Sequence, residues 1–237
     1  MKIQVTQQTG PRLRTISMLW YGKIKCGKTT EAAKLPNAII FSLEPEGTDY
    51  IDNPISVVYP ETLASLQEHI NWVANQEYKT VVLDGFTHFI GAALRDYAAS
   101  KSLDPRRAAA VITPQVRLAV EQLLRSGKSV IATGHHRVVD VIDQLDGGNV
   151  TKQEIRPDLN DALFTPIVGG FSHISYCYPL GSGKSTMINK PFETDKLRIV
   201  AGSRGSILPN RCELSAAEIT KHLQKARDKK AAAADAK

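Results

Sequence analysis

The stretch Gly22-Lys23-Ile24-Lys25-Cys26-Gly27-Lys28-Thr29 follows directly on the apolar run Ile16-Ser17-Met18-Leu19-Trp20-Tyr21. It fits the pattern G-x-x-x-x-G-K-[ST], in which a glycine-rich turn joins a buried strand to a helix and cradles phosphate groups. That pattern fixes much of the fold. A strand is expected before the loop and a helix after it. The chemistry needs these residue types at this spacing. Gly22 and Gly27 allow turns that aim successive backbone N–H groups at one anion. Lys28 brings positive charge to the β- and γ-phosphates, and the Thr29 hydroxyl can ligate Mg²⁺. The helix expected from Thr29 to Leu35, stopped by Pro36, turns its positive end toward the same anion. Gly22, Lys23, Ile24, Lys25, Cys26, Gly27, Lys28, Thr29 and Thr30 are therefore the candidate phosphate contacts.

A second string, Gly181-Ser182-Gly183-Lys184-Ser185-Thr186, looks similar, but Tyr178 stands where the first glycine belongs. Its flanks, His173 to Tyr178 and Met187-Ile188-Asn189, read as two strands around a turn, and no helical pattern follows. A hairpin tip is expected there, with Lys184 available to a nucleic acid or a neighbouring subunit.

Across the 237 residues, apolar runs alternate with helical patterns, which predicts an α/β fold with a mainly parallel sheet. Strands are expected at Ile16–Tyr21, Asn37–Leu43, Ile55–Tyr59, Thr80–Asp84 and Ser129–Gly134. Helices are expected from about Glu61 to Gln76, Phe86 to Lys101 and Gln115 to Ser126. Residues 137–160 are polar and contain Gly147-Gly148, and they read as a mobile excursion. Beyond them lies an antiparallel hairpin pattern with strands at 172–178, 186–190 and 196–201. Ser215-Ala216-Ala217-Glu218 is a capping box that opens a helix to about Ala226. One domain over residues 1–228 is expected, followed by a frayed basic tail over 229–237.

The net charge of +6 suits a polyanionic partner. Cys26, Cys177 and Cys212 form neither a disulfide framework nor a metal-ligand spacing, so a reducing cytoplasm is the expected setting. No apolar run reaches membrane-spanning length and no signal-peptide core is visible, so no membrane partner is expected.

Val81-Val82-Leu83-Asp84 is an apolar strand ending in a carboxylate, placed to hold Mg²⁺ or its water shell. Hydrolysis also needs a group that orients or deprotonates water. Glu44 and Glu46 follow the second strand, beside the expected ligand crevice; Glu44 is the first choice and Glu46 the second. His135 and His136 end the strand that follows Asp84's, and His135 is a candidate γ-phosphate contact.

The order of these elements resembles the RecA-like core of the P-loop NTPases. More narrowly, Gly22–Thr29, Phe41-Ser42-Leu43-Glu44, Val82-Leu83-Asp84, Ala132-Thr133-Gly134-His135 and Arg156-Pro157-Asp158-Leu159 resemble the phage single-strand annealing ATPases of the fourth Sak family. The resemblance spans about residues 14 to 215. It implies binding of ATP and Mg²⁺, hydrolysis stimulated by single-stranded DNA, and a homo-oligomer, ring or filament, with nucleotide between subunits. A single-strand binding protein is a further implied partner. It also implies a basic residue acting in trans on a neighbour's γ-phosphate, for which Arg204 is the first choice and Arg198 the second. DNA contact is expected at Arg137, Lys152, Arg156 and the C-terminal helix, through phosphates rather than base stacking. Two other readings stay open: an ATPase acting on a protein partner, such as a helicase loader or packaging accessory, and a nucleotide-dependent binding module with little turnover.

Overall fold

The computed structural model describes residues 15–44, 47–49, 51, 55–145, 148–181, 184–194, 196–203 and 208–235. β1 (Ser17–Gly22) is buried at every position and lies inside the main sheet. A parallel strand covered on both faces needs such unbroken burial, which accounts for the run Met18-Leu19-Trp20-Tyr21. On one side of β1 follow β5 (Ser129–Leu145), β4 (Thr80–Asp84), β2 (Ala38–Ser42) and β3 (Ser56–Val58), all parallel. On the other side β7 (His173–Gly181) is parallel to β1, while β8 (Lys184–Ile188) and β12 (Arg211–Glu213) continue antiparallel. The sheet is mainly parallel and ends in a C-terminal antiparallel hairpin.

Alternation along the strands divides the core between two faces. Leu19, Phe41, Leu83 and Ala132 point to the face covered by α2 (Leu63–Ala74), α3 (Phe86–Lys101), α4 (Pro105–Arg125) and α5 (Asp161–Val168). Met18, Trp20, Ile40, Val82 and Ile131 point to the face covered by α1 (Lys28–Ala33) and α6 (Ala216–Asp235). Two helices extend past their expected bounds. α4 begins ten residues before Gln115, at Pro105, because the Asp104 carboxylate accepts from the N–H groups of Arg106 (2.9 Å) and Arg107 (3.1 Å) and Pro105 needs no partner for its nitrogen. α6 runs to Asp235, past Ala226.

The largest departure from the expectation lies in residues 137–160. β5 continues beyond the sheet and pairs antiparallel with β6 (Gly148–Pro157), from His136 opposite Pro157 to Leu145 opposite Gly148. This is a regular ribbon rather than a polar excursion, and its β-branched residues Val138, Val139, Val141, Ile142, Val150 and Thr151 favour that state. β10 (Leu197–Ile199) joins β6 in parallel, and β9 (Phe192–Glu193) joins β10. The buried Tyr21 hydroxyl lies 2.6 Å from the carbonyl of Val200 and 3.1 Å from that of Ile155, pinning this second sheet to the strand that leads into the glycine loop. Gly181 and Lys184 face each other across antiparallel β7 and β8, in keeping with the expected hairpin, whose tip residues Ser182 and Gly183 lie outside the described residues. Among the described residues, no helix is long and apolar enough to cross a membrane.

Candidate active site

β1 delivers the loop at the C-terminal edge of the sheet. Gly22 has φ +152°, and a Cβ there would stand 1.9 Å from the carbonyl oxygen of Cys177 on β7, so only glycine fits. The next residue locks the approach: the Lys23 N–H donates to that same oxygen at 3.1 Å. Lys25 is held at φ 60°, a conformation costly for a side-chain-bearing residue and concentrated at functional sites. Gly27 caps α1 without any side-chain hydrogen bond, so the N–H groups of Lys28, Thr29 and Thr30 have no partner within the helix. Because α1 has only six residues, its macrodipole is small and these N–H groups supply most of the attraction for an anion. Lys28 is nearly buried, at 8% exposure, and its Nζ donates to the carbonyl of Lys23 at 2.8 Å. The ammonium is thus held by the loop's own backbone.

Asp84 ends β4 opposite Thr29. Its Oδ1 accepts from the hydroxyls of Thr29 (2.6 Å) and Thr133 (2.5 Å), and Thr133 Oγ1 in turn accepts from the Gly85 N–H at 3.1 Å. Burial pushes the Asp84 carboxyl above its ordinary range, and the two hydroxyls pull it back. β5 lies between β1 and β4, which lets Thr133 brace the carboxylate from between the loop strand and the Asp84 strand. One hydroxyl beside one carboxylate suits Mg²⁺ that takes its remaining ligands from water and phosphate. Among the described residues, no cluster of three His, Cys, Asp or Glu side chains forms a self-sufficient metal cage.

Glu44 follows β2 and approaches the same crevice. Gly85, at φ +77°, makes that possible: a Cβ there would stand 2.4 Å from the Glu44 Cβ. The Glu44 carboxylate lies 3.2 Å from Nε2 of His135, at the β5 position three residues after Ala132. This contact holds the Glu44 carboxyl below its ordinary value and raises the His135 imidazole above its own. The His135 backbone N–H donates to Thr87 Oγ1 at 3.1 Å, tying its position to α3. Loop residues Ile24–Thr30, Glu44, Asp84, Thr133 and His135 line one cavity of about 590 Å³. Such a constellation can hold a triphosphate, a divalent cation and an oriented water together.

Glu46 and Arg204 lie outside the described residues. Arg198 is held by Asp143 (2.6 Å), Glu193 (3.1 Å) and Glu154 (3.7 Å) of the second sheet. The DNA-contact candidates are likewise engaged: Lys152 with Asp143 and Glu193, Arg156 with Glu154 and Asp161, and Arg137 with Asp161. Sequence reasoning missed Thr133 as a functional residue. The available signal was a hydroxyl at the end of a buried strand, one residue before the Gly134-His135 pair.

A family model described as an AAA domain matches residues 14–195. The match contains the loop, Glu44, Asp84, Thr133 and His135, and ends before Arg198. None of the curated proteins compared with the chain matches it.

Proposed function

This chain belongs to the AAA-domain family of P-loop ATPases, and from that premise we propose that it binds ATP with Mg²⁺ at residues 22–30 and hydrolyses it. The observation that carries this reading is the convergence of Thr29, Asp84, Glu44 and His135 on the cavity that the loop opens into. Thr29 and Asp84 would hold Mg²⁺, which when bound neutralises charge on the β- and γ-phosphates. Lys28 leaves the Lys23 carbonyl for the phosphates. Glu44 orients a water and takes its proton as the water oxygen bonds phosphorus and the bond to the ADP oxygen breaks. His135 holds Glu44 in reserve until the γ-phosphate offers a competing partner.

The finer reading is an ATPase that grips single-stranded DNA, assembles into a homo-oligomer and promotes annealing or strand exchange in phage recombination, with Arg204 of a neighbouring copy completing each site. Its support is the order of motifs along the chain and the net charge of +6. ATPase rates with and without single-stranded DNA, over a salt series, test it. Stimulation that fades as salt rises is the expected result; equal rates with and without DNA at every salt concentration would remove DNA from the reading.

One observation favours an ATPase acting on a protein partner instead. The ribbon's cations are each matched by a carboxylate, while Val138 and Ile142 stand 51% and 67% exposed on it. Stimulation by a protein, with indifference to DNA, is the outcome that reading expects.

A further inference from the structure

A second cavity, of about 710 Å³, adjoins the phosphate site and shares Cys26, Gly27 and Thr30 with it. One wall is a single face of α1 and its flanks, Gly27, Thr30, Glu31 and Lys34, at the i, i+3, i+4, i+7 spacing of helix neighbours. The opposite wall is Lys184–Ser185 of β8 together with Glu213–Ala217, where β12 passes into α6. The Ala216 N–H donates across the trough to Glu31 Oε2 at 2.9 Å, fixing the walls to each other, and the Leu214 N–H donates to the Ser185 carbonyl at 2.9 Å, which ties the second wall together.

Direction along the nucleotide decides what this trough takes. Glu44, His135 and Asp84 line the phosphate cavity and not the trough, which puts the γ-phosphate end away from the trough. The remainder of a nucleotide must leave the loop by the other end, past Thr30, and there the trough begins. From Gly27 to Lys34 the helix face runs about 10 Å, the length of a nucleoside. Pro36 and Ala217 offer apolar surface to a base. Glu31 is already spent on Ala216 and on Lys34 (2.5 Å). Among the described residues, the Lys184 ammonium and the Glu213 carboxylate have no hydrogen-bond or ion-pair partner, and both are exposed at the rim.

We propose that the nucleoside half of the bound nucleotide lies in this trough between α1 and the β7–β8 hairpin, with Lys184 as a donor and Glu213 as an acceptor to ribose and base. The proposal rests on the reading of residues 22–30 as a nucleotide loop. It gives Lys184 and Ser185 of the second glycine-rich string a role in a wall of the first loop's site.

The test uses the full chain with Mg²⁺ and two ligands, ATP and inorganic tripolyphosphate, which carries the phosphates without the nucleoside. In Lys184→Ala/Glu213→Ala, ATP affinity should fall about tenfold or more, as expected for losing charge-assisted hydrogen bonds, while tripolyphosphate affinity stays unchanged. Equal losses for both ligands, or an unchanged ATP affinity, would overturn the proposal. An azidoadenine analogue of ATP should photolabel the segments 34–36 or 213–220; label confined to residues 47–51 or to the ribbon would also overturn it. If the unaltered protein binds neither ligand, the nucleotide reading itself falls. If it binds tripolyphosphate as tightly as ATP, only the nucleoside trough falls.

Discussion

Gly27-Lys28-Thr29-Thr30 and Gly183-Lys184-Ser185-Thr186 differ at one position as strings, and Lys28 and Lys184 stand in unlike structures. The first leaves a central parallel strand and enters α1, so its turn leaves helix N–H groups without partners and folds Lys28 inward to 8% exposure. The second sits where β7 reverses into β8, with Gly181 opposite Lys184, and Lys184 stays exposed. A lysine flanked by glycine and a hydroxyl residue is common to both. What differs is the direction in which the chain leaves. The first string draws its free N–H groups from a helix start, whereas an antiparallel ladder uses strand N–H groups for pairing.

Lys28→Ala against Lys184→Ala is the most direct way to break this comparison. Lys28→Ala should lose both ATP and tripolyphosphate binding and lower turnover by about 100-fold or more, the scale seen when a preorganised charge is removed from an active site. Lys184→Ala should leave tripolyphosphate binding and kcat within a few-fold. Calorimetric titration and steady-state ATPase rates read both. Equal losses in the two variants would mean that the strings are equivalent and the structural distinction is wrong.

A sharper version asks which neighbours turn a cradle into a catalyst. Glu44→Gln should keep nucleotide binding and lose about 100-fold in turnover, the usual contribution of a positioned base. Full activity in this variant would move the role to Glu46. Thr133→Val should act more gently. It removes one of the two hydroxyls on Asp84 Oδ1, so the Mg²⁺ concentration for half-maximal turnover should rise about tenfold, as for other outer-shell groups. An unchanged Mg²⁺ dependence would show that Thr29 alone suffices to hold Asp84.

Much of this was legible in the chain. The run Ile16–Tyr21 and the strand ending in Asp84 show the near-continuous apolar character of buried parallel strands, and the loop, Glu44 and His135 follow as strand ends on one edge. Asp104-Pro105 also carried a readable helix start, which the weak apolar pattern of residues 105–114 concealed. The ribbon was harder. Its inner face alternates Asp143, Lys152, Glu154 and Arg156 with valines, and the first three read as solvated until their partners Glu193 on β9 and Arg198 on β10 are known. Ion pairs between residues about forty positions apart leave no local trace. Neither does the Glu44–His135 contact, because it depends on Gly85 letting two strands' ends meet.

That contact gives the smallest expected effect and the finest test of what the neighbours of the first string add to it. His135 is raised above its ordinary 6.5, so its stabilising share is complete below that value and is lost as pH climbs through the raised one. Glu44 is lowered from its ordinary 4.5, so its share is complete above that value and is lost as pH falls through the lowered one. The pair therefore stabilises the nucleotide-free protein most between these limits. Both side chains are about a third exposed, at 31% each, so solvent screens the interaction and its effect is small. Wild type should melt about 2 °C above His135→Gln on that plateau, and the gap should close as pH rises. Turnover should move the opposite way in wild type, increasing as His135 loses its proton and releases Glu44 to the water. A pH–rate profile identical in His135→Gln and wild type would leave Glu44 unrestrained by His135, and would reduce the pair to a contact of the resting fold.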